Sequence, residues 1–564
     1  MISVHTSPLD PPGSGDAGGM NVYIAELAAH LAVEGVEVDV YTQGPHAITA
    51  ANGCTVVSIP VGPRRRAGKD DLPGLLPGFA AAVLTAGRGP YDVIHSHYWL
   101  SGEVGAVLAA AWHVPLVHSM HTMAAVKNAT DPSTREPAVR LAGEARLAAT
   151  AAALIVNTAD EAADLTTHYD APAARVHVVS PGVDLAAFAP RSMAGAGPGD
   201  RSDRAALGLP AAEPIVLFVG RVQPHKGPDL LLRALAAMRE RGLDTPRLVV
   251  IGGPSGAGDP GWFDDLADQL GVADVVDRRG PVPHAELARW YHAADLVAVP
   301  SRHESFGLVV LEAQAAGTPV VAAAVGGLRD AVRDGDSGVL IEGRDEDVWA
   351  TVLHDLLADP ARRRDLGIAA RRHAQRFSWT ATAERTLQVY AGALDPPSPR
   401  EAGVAAVLAV LAAAGVDHAT GRRPGEIVAQ LPGEHRLATT VSLLVGAHTV
   451  SATAFVCRRP DDDAAGVHEW LLRRNTRLPG VAWAVDDRGD IYLVGRVPLG
   501  AVLAAGGERV VDDLLGGMAH TADESFDELL RRGFAAAIDR ELQWRLARGL
   551  PATNLDALRP RAAD

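Results

Sequence analysis

The chain has 564 residues, 48% of them hydrophobic, with 52 basic against 68 acidic side chains and a formal charge of −16. That length suggests about three or four domains, and the apolar content suffices for large cores. The negative balance excludes a general attraction to nucleic acid or an anionic membrane, so any anion site has to be local.

The elements begin almost at once. An apolar start, Ile2-Ser3-Val4, leads into HTSPLDPPGSGDAGGMNVYIAELAAHL, a Gly/Ser/Asp-rich stretch followed by an amphipathic run from Asn21. Strand patterns follow at 37–41, 93–95, 116–118, 153–156 and 176–179. Beyond Pro190 the polar stretch RSMAGAGPGDRSD reads as an exposed loop. A second series places strands at 215–219, 247–251, 275–278, 296–299 and 319–322, with helices such as 229–241 and 308–316 between them. Such alternation predicts parallel sheets covered on both faces. Two series in tandem predict an α/β architecture of two doubly wound domains facing a cleft, with ligands at the carboxyl ends of the strands.

DPPSPR, Asp395 to Arg400, reads as a stiff linker. Beyond it RLATTVSLLVGAHTVSATAFVCRR and GVAWAVDDRGDIYLVGRV read as antiparallel hairpins, the second turning near Arg488-Gly489. Helical runs at 403–414, 464–474 and 525–547 flank them, which predicts a separate α+β domain. Trp470, Trp483 and Trp544 read as core. Cys54 and Cys457 read as buried small hydrophobes in a reduced compartment, and no CxxC or Cys/His cluster suggests zinc. No signal peptide is visible, and the apolar run 404–416 falls short of the ~20 residues of a span. A soluble, cytoplasmic protein is expected.

Gly13 to Gly18 spells GxGxxG, but the context of a dinucleotide turn is missing. HTSPLDPP separates Val4 from Gly13, and no acid ends the next strand where a ribose would need one. The same glycines let consecutive amides converge on a phosphate at the start of the following helix. No GK[ST] accompanies them, so this is not a Walker loop. FVGRVQPHKGPDLLL sets Arg221 and Lys226 between a strand and a helix, where a guanidinium fork and an ammonium suit a diphosphate. PSRHESFGLVVLEAQAAGTPVVAA places Glu304 on a loop and Glu312 on the helix after it, within reach of sugar and ribose hydroxyls. Taken singly, these two are equally a helix-end charge and a solvated glutamate. IHSHYW and HSMHT end two strands with histidines and hydroxyls, a polar lining for a sugar site.

Together, Arg221/Lys226, the E-x7-E pair and the glycine loop resemble the family 4 retaining glycosyltransferases of GT-B fold, over about residues 1–394. HTSPL, PGSGDAGGMNVY, KDDLPGLL, IHSHYWLSG and HTMAAVKN look most like the branch that opens mycothiol biosynthesis in actinobacteria. Its members transfer N-acetylglucosamine from UDP-GlcNAc to 1D-myo-inositol 3-phosphate. The resemblance implies that residues 1–188 bind the acceptor and 189–376 the nucleotide sugar, with a helix at 377–394 crossing back onto the first domain. It implies that Arg221, Lys226 and the Gly19 amide hold the diphosphate, Glu312 the ribose and Glu304 the transferred sugar. His5 and the loop Asp16, Ala17, Gly18, Gly19, Met20 and Asn21 would border the acceptor. Lys69, Tyr98, Thr122 and Arg140 would bind its phosphate, and His121 would sit beside the reacting sugar; Lys69 and Arg140 are equally readable as surface charges. No metal or cofactor is required. Thr318 and the backbone near Tyr291, His292 and Ala294 match a Mg2+ position of close relatives and look structural. The relatives imply a homodimer.

Two departures stand out. Relatives carry several more residues before the first strand, so that strand is expected to be short and the natural start to lie upstream of Met1. The chain also continues past residue 400, and 401–549 resembles the YbjN family, read as a binding or regulatory module within a domain spanning 401–564. Alternatives are a sucrose-phosphate synthase or phosphatidylinositol mannosyltransferase on the same fold, an NAD(P)-dependent oxidoreductase read from GxGxxG, and a non-catalytic sensor worked by the tail.

Overall fold

The computed structural model describes residues 1–11, 17–60, 71–86, 88–130, 135–190, 201–253, 261–396, 398–504, 506–556 and 558. It divides into two units, Met1–Asp395 and Pro396–Asp564.

The first unit holds two sheets. The first sheet comprises β1 (Ile2–Ser3), β2 (Asp39–Gln43), β3 (Ala47–Ala51), β4 (Cys54–Ile59), β5 (Ile94–His97), β6 (Leu116–Ser119), β7 (Ala153–Val156) and β8 (Val176–Val178). Their order is β3-β4-β2-β1-β5-β6-β7-β8, parallel except where β3 returns antiparallel along β4. β1 is the expected short strand: its two residues pair with Tyr41 and Thr42 on one side and Ser96 on the other. β5, β6 and β7 are buried throughout, as parallel strands between helical layers are. β5 and β6 nevertheless carry His and Ser inside, and two pairs bond across the strands: Ser96 Oγ meets His118 Nδ1 at 2.8 Å and His95 Nε2 meets Ser119 Oγ at 2.8 Å.

The second sheet comprises β9 (Ile215–Val219), β10 (Arg247–Ile251), β11 (Val276–Gly280), β12 (Leu296–Val299), β13 (Val320–Ala323) and β14 (Val339–Ile341). It is parallel in the order β11-β10-β9-β12-β13-β14. The chain then returns to the first sheet. Ser378 caps the helix Trp379–Leu394 by accepting the Ala381 N–H at 3.1 Å. Trp379 meets the Tyr23 ring at 5.6 Å, and Tyr390 reaches His95 Nδ1 at 2.8 Å. These two doubly wound domains are the GT-B arrangement.

The second unit is an antiparallel sheet of β15 (Asp417–Thr420), β16 (Glu426–Pro432), β17 (Ala438–Val445), β18 (Thr449–Cys457), β19 (Val481–Val485) and β20 (Ile491–Pro498), in the order β15-β16-β17-β18-β20-β19. Alternate residues face a core shared with the helices Pro399–Ala413 and Gly507–Gly533.

Several expectations are corrected. The hairpin β3–β4 and the strands β14, β15 and β16 were not anticipated. The stretch 525–547 is two helices, Gly507–Gly533 and Ala535–Leu546, broken at Phe534, which is buried where the chain turns. Ser398 and Glu401 form a capping box with Pro399 at the first helical turn, so the linker gives way to helix before Arg400. The end of the supposed exposed loop is the helix Arg201–Ala206, with Asp203 fully buried; residues 191–200 lie outside the described residues. Trp483 is core, Trp470 packs at its edge between Arg474 and Arg532, and Trp544 is 46% exposed under Arg548. Cys54 and Cys457 are buried free thiols. Among the described residues no helix is long and apolar enough to cross a membrane.

Gly182 marks the return of the chain. A Cβ there would stand 2.2 Å from the Trp379 backbone nitrogen, where Val183 N–H donates to Phe377 C=O at 3.1 Å. Neither backbone can move aside, so Gly182→Ala is expected to cost about 1–3 kcal/mol, seen as a lowered urea midpoint of the full chain.

Candidate active site

The functional side chains collect at the carboxyl ends of β5, β6, β9 and β12. In the second domain, Gly220 and Gly252 end neighbouring strands so closely that a Cβ on Gly252 would lie 1.9 Å from the Gly220 carbonyl oxygen. Arg221 follows immediately. Lys226 closes the short turn Pro224–Lys226, and Gly227, in the left-handed region at φ 70°, starts the helix Pro228–Glu240. Both cations therefore stand between a strand end and a helix N-terminus. Lys226 Nζ pairs with Glu304 Oε2 at 2.7 Å, and Ser301 Oγ donates to the same oxygen at 3.2 Å. Burial alone would raise the Glu304 carboxyl; the Lys226 ammonium outweighs it and holds the group below the usual carboxylate range.

Glu312 lies on the helix Leu308–Ala315, 5% exposed. Its two oxygens meet His284 Nε2 and the Tyr291 hydroxyl, each at 2.7 Å. Burial opposes charge on His284, but the bond to Glu312 prevails and raises its pKa above the ordinary value. Glu312 and His284, with Val22, Glu26, Gly182, Asp184 and Trp379, line one cavity between the domains.

The first domain supplies the opposite wall. A Cβ on Gly18 would lie 3.8 Å from Arg221 Nε, and one on Gly19 3.6 Å from Leu308, so the start of the helix Gly19–Val33 abuts the second domain's cations. Ala17 is buried and Met20 partly so. The Asn21 amide accepts the Gly18 N–H at 3.0 Å and donates to Thr6 Oγ1 at 2.6 Å and to the Ser7 carbonyl, bracing the loop. Asp16, Lys69 and Gly13 to Gly15 lie outside the described residues.

Tyr98 and His121, which follow β5 and β6, have φ of 72° and 58°. Neither is glycine, and two such residues on adjacent strand ends mark stored strain, which clusters at binding sites. Tyr98 stacks against His5 at 4.6 Å and lies under the Arg140 guanidinium at 5.0 Å. Burial pushes its hydroxyl up to about 12. Arg140 is 2% exposed, which answers whether it is a surface charge. It donates to Thr122 Oγ1 at 2.9 Å and to Glu144 Oε1 at 2.7 Å, and pairs with Glu136 at 2.8 Å. Three of the four proposed phosphate ligands are thus together. His121 Nε2 meets His97 Nδ1 at 3.0 Å, with the Tyr23 ring edge-on 5.1 Å from His121. Burial pushes His97 far below its ordinary value and His121 down to about 3, so this neutral pair shares one proton.

Sequence reasoning missed His284 and Lys127, which pairs with Glu136 at 3.1 Å beside Arg140. Only Lys127 carried a signal: it sits four residues beyond Met123 on the element that follows Thr122. The Thr318 hydroxyl donates to the Tyr291 carbonyl at 2.7 Å. Among the described residues no cluster of three or more His, Cys, Asp or Glu is placed to hold a metal ion.

Comparison with known proteins follows the same division. The family described as "Glycosyl transferases group 1" matches residues 200–373, the "Glycosyl transferase 4-like domain" 18–182, and YbjN, "Putative bacterial sensory transduction regulator", 404–531. The D-inositol 3-phosphate glycosyltransferase of Thermomonospora curvata is 51% identical over 422 residues, 72% of this chain and 97% of that protein. That of Streptomyces coelicolor is 49% identical over 416 residues, 70% of this chain and 91% of the relative. Among solved structures, sucrose-phosphate synthase from Thermosynechococcus elongatus matches with a TM-score of 0.64 at 32% identity, over 70% of this chain and 98% of its own. Anabaena HepE, solved with UDP and glucose, matches with a TM-score of 0.56 at 22% identity, over 69% and 99%, and shares the fold. The chain belongs to the D-inositol 3-phosphate glycosyltransferase family of GT-B glycosyltransferases, carrying a YbjN domain behind the glycosyltransferase unit.

Proposed function

We propose that the cleft transfers N-acetylglucosamine from UDP-GlcNAc to 1D-myo-inositol 3-phosphate with retention at the anomeric carbon, the step that opens mycothiol biosynthesis. The observation that carries this reading is the meeting of Tyr98, Thr122 and Arg140 on one wall, facing Arg221, Lys226 and Glu304 on the other. A hydroxyl, a phenol and a guanidinium at one place suit the charge of a dianionic phosphate, which neutral inositol lacks.

The donor lies with its diphosphate on Arg221, Lys226 and the Gly19 amide, its ribose on Glu312 and its sugar hydroxyls on Glu304. His284 and Tyr291 fix the Glu312 carboxylate. The acceptor hydroxyl attacks the anomeric carbon from the face the diphosphate leaves. The carbon–oxygen bond to UDP breaks, and the acceptor proton passes to the departing phosphate oxygen. Arg221 and Lys226 meet the charge that develops there, so the scheme asks for no metal. His5 and the 16–20 loop border the acceptor, and His121 lies beside the sugar. A cytoplasmic homodimer, a ligand-binding or regulatory YbjN domain, and the assignment of residues 1–188 to the acceptor and 189–376 to the donor belong to the same proposal. A second reading, a sucrose-phosphate synthase-like transfer to another phosphorylated sugar, is favoured by the 32% identity to that enzyme.

UDP release from UDP-GlcNAc is expected with 1D-myo-inositol 3-phosphate and not with inositol; release with a hexose phosphate instead would move the assignment to the second reading. Thr122→Val should raise the acceptor KM about ten-fold or more, the usual loss for a bond to a charged group, with the donor KM unchanged. Lys226→Met should lower kcat by about 10²–10³, the scale for removing one charge-stabilising donor.

A further inference from the structure

Arg140 carries two carboxylates, and they are held differently. Glu144 is fully buried and takes three donors: Arg140 Nε at 2.7 Å, the Ala124 N–H at 2.8 Å and the Tyr169 hydroxyl. Glu136 stands at the rim, its side chain 21% exposed, between the exposed residues Arg135 and Pro137. Its backbone N–H donates to Asn128 Oδ1 at 2.8 Å, which fixes the chain but leaves the carboxylate to its charges. That carboxylate bridges two cations. Oε1 meets Lys127 Nζ at 3.1 Å and Oε2 meets Arg140 Nη1 at 2.8 Å.

The Arg140 contact pairs charge without a well-directed bond. At 2.8 Å the oxygen lies off the N–H directions, and Nη1, on a side chain 2% exposed, is buried with no hydrogen-bond partner among the described residues. A buried donor left unused is costly, and a ligand oxygen that takes it recovers the loss. The same guanidinium gives Nη2 to Thr122 Oγ1 at 2.9 Å, so the unused donor belongs to the Tyr98, Thr122 and Arg140 group.

We propose that Glu136 is an internal stand-in for the acceptor's phosphate, and Lys127 a further ligand of it: on binding, the phosphate takes the place of the Glu136 carboxylate on Arg140 and Lys127. This rests on the acceptor site proposed above. Two cations, Arg140 and Lys127, face two carboxylates, Glu136 and Glu144, so the empty cluster is neutral. A neutral cluster offers a dianion no net attraction; with Glu136 turned out to solvent it becomes cationic. A phosphate monoester brings nearly two charges and three acceptor oxygens where the carboxylate brought one charge and two. Glu144 and Thr122 remain in place and keep the guanidinium oriented during the exchange. Burial would raise the Glu136 carboxyl, but Arg140 and Lys127 outweigh it and hold the group below the ordinary range, so it is an anion at neutral pH.

Phosphate affinity reads the exchange without turnover. 1D-myo-inositol 3-phosphate and, separately, inorganic phosphate are titrated calorimetrically into the full chain as wild type, Glu136→Gln, Lys127→Met and Arg140→Met. Glutamine keeps the shape and removes the charge. Glu136→Gln should therefore bind both probes about five-fold more tightly, the worth of one partly exposed charge pair. The factor should be the same for both, since a displaced group costs every ligand alike. Lys127→Met should bind both about ten-fold more weakly, the usual loss for a bond between charged groups. A carboxylate that only supported the fold would give the opposite sign, its loss weakening binding and lowering the melting temperature together. Unchanged or weaker binding by Glu136→Gln overturns the proposal, as does unaltered affinity in Lys127→Met; if Arg140→Met still weakens binding, the acceptor site itself stands. Unchanged binding by Arg140→Met places the phosphate elsewhere and overturns both. Equal affinity of the wild type for the two probes counts against inositol as the acceptor, while the Glu136 comparison is still read on phosphate. Thermal melts establish that each variant is folded, and Thr122→Val marks the phosphate site should Arg140→Met, which strands Glu144, fail to fold.

Discussion

Parallel pairing of β5 with β6 is the constraint on which the proposed acceptor wall rests. The register Ile94 to Leu116 through His97 to Ser119 ends both strands together. Tyr98 and His121 then leave the sheet one residue apart in height, each in a left-handed turn. An antiparallel pair would send those ends to opposite edges of the molecule. Because β9 and β12 obey the same rule in the second sheet, their Arg221 and Glu304 loops open toward the same cleft, and polar groups after four strands converge without any long excursion of chain.

A chain of net charge −16 holds its cationic sites by pairing them. Arg140 is buried against Glu144, which has no exposed surface, and that carboxylate also accepts the Ala124 N–H and the Tyr169 hydroxyl. Lys226 leans on Glu304 in the same way. Buried pairs of this kind contribute little net stability, since desolvation offsets most of their attraction. What they do supply is position: the guanidinium over Tyr98 has one orientation, set by Glu136, Glu144 and Thr122 together.

The two doubly wound series were legible because period and length both spoke for buried strands; 153–156, 215–219, 247–251 and 296–299 coincide with β7, β9, β10 and β12. β3 was not, because alanine and threonine on an exposed edge give no hydrophobic contrast. The break at Phe534 between the Gly507–Gly533 and Ala535–Leu546 helices escaped because it carries no proline. Within the site, Arg221, Lys226 and the two glutamates announced themselves by spacing. Arg140 did not, since its burial depends on partners at 98, 122 and 144 that only the fold assembles. His284 meets Glu312 28 positions away, which no local pattern encodes.

The hydrogen bond from Tyr390 to His95 bears on how the protein is made. His95 is buried in the first sheet, yet its partner is among the last residues of the glycosyltransferase unit, separated from it by the whole second domain. On a ribosome adding about 5–20 residues per second, the first domain waits roughly 10–40 s after its own last strand for the helix that completes it. During that interval the face later covered by Trp379 and Val389 is open, so the apolar side of the first sheet stays exposed until residue 394 has emerged.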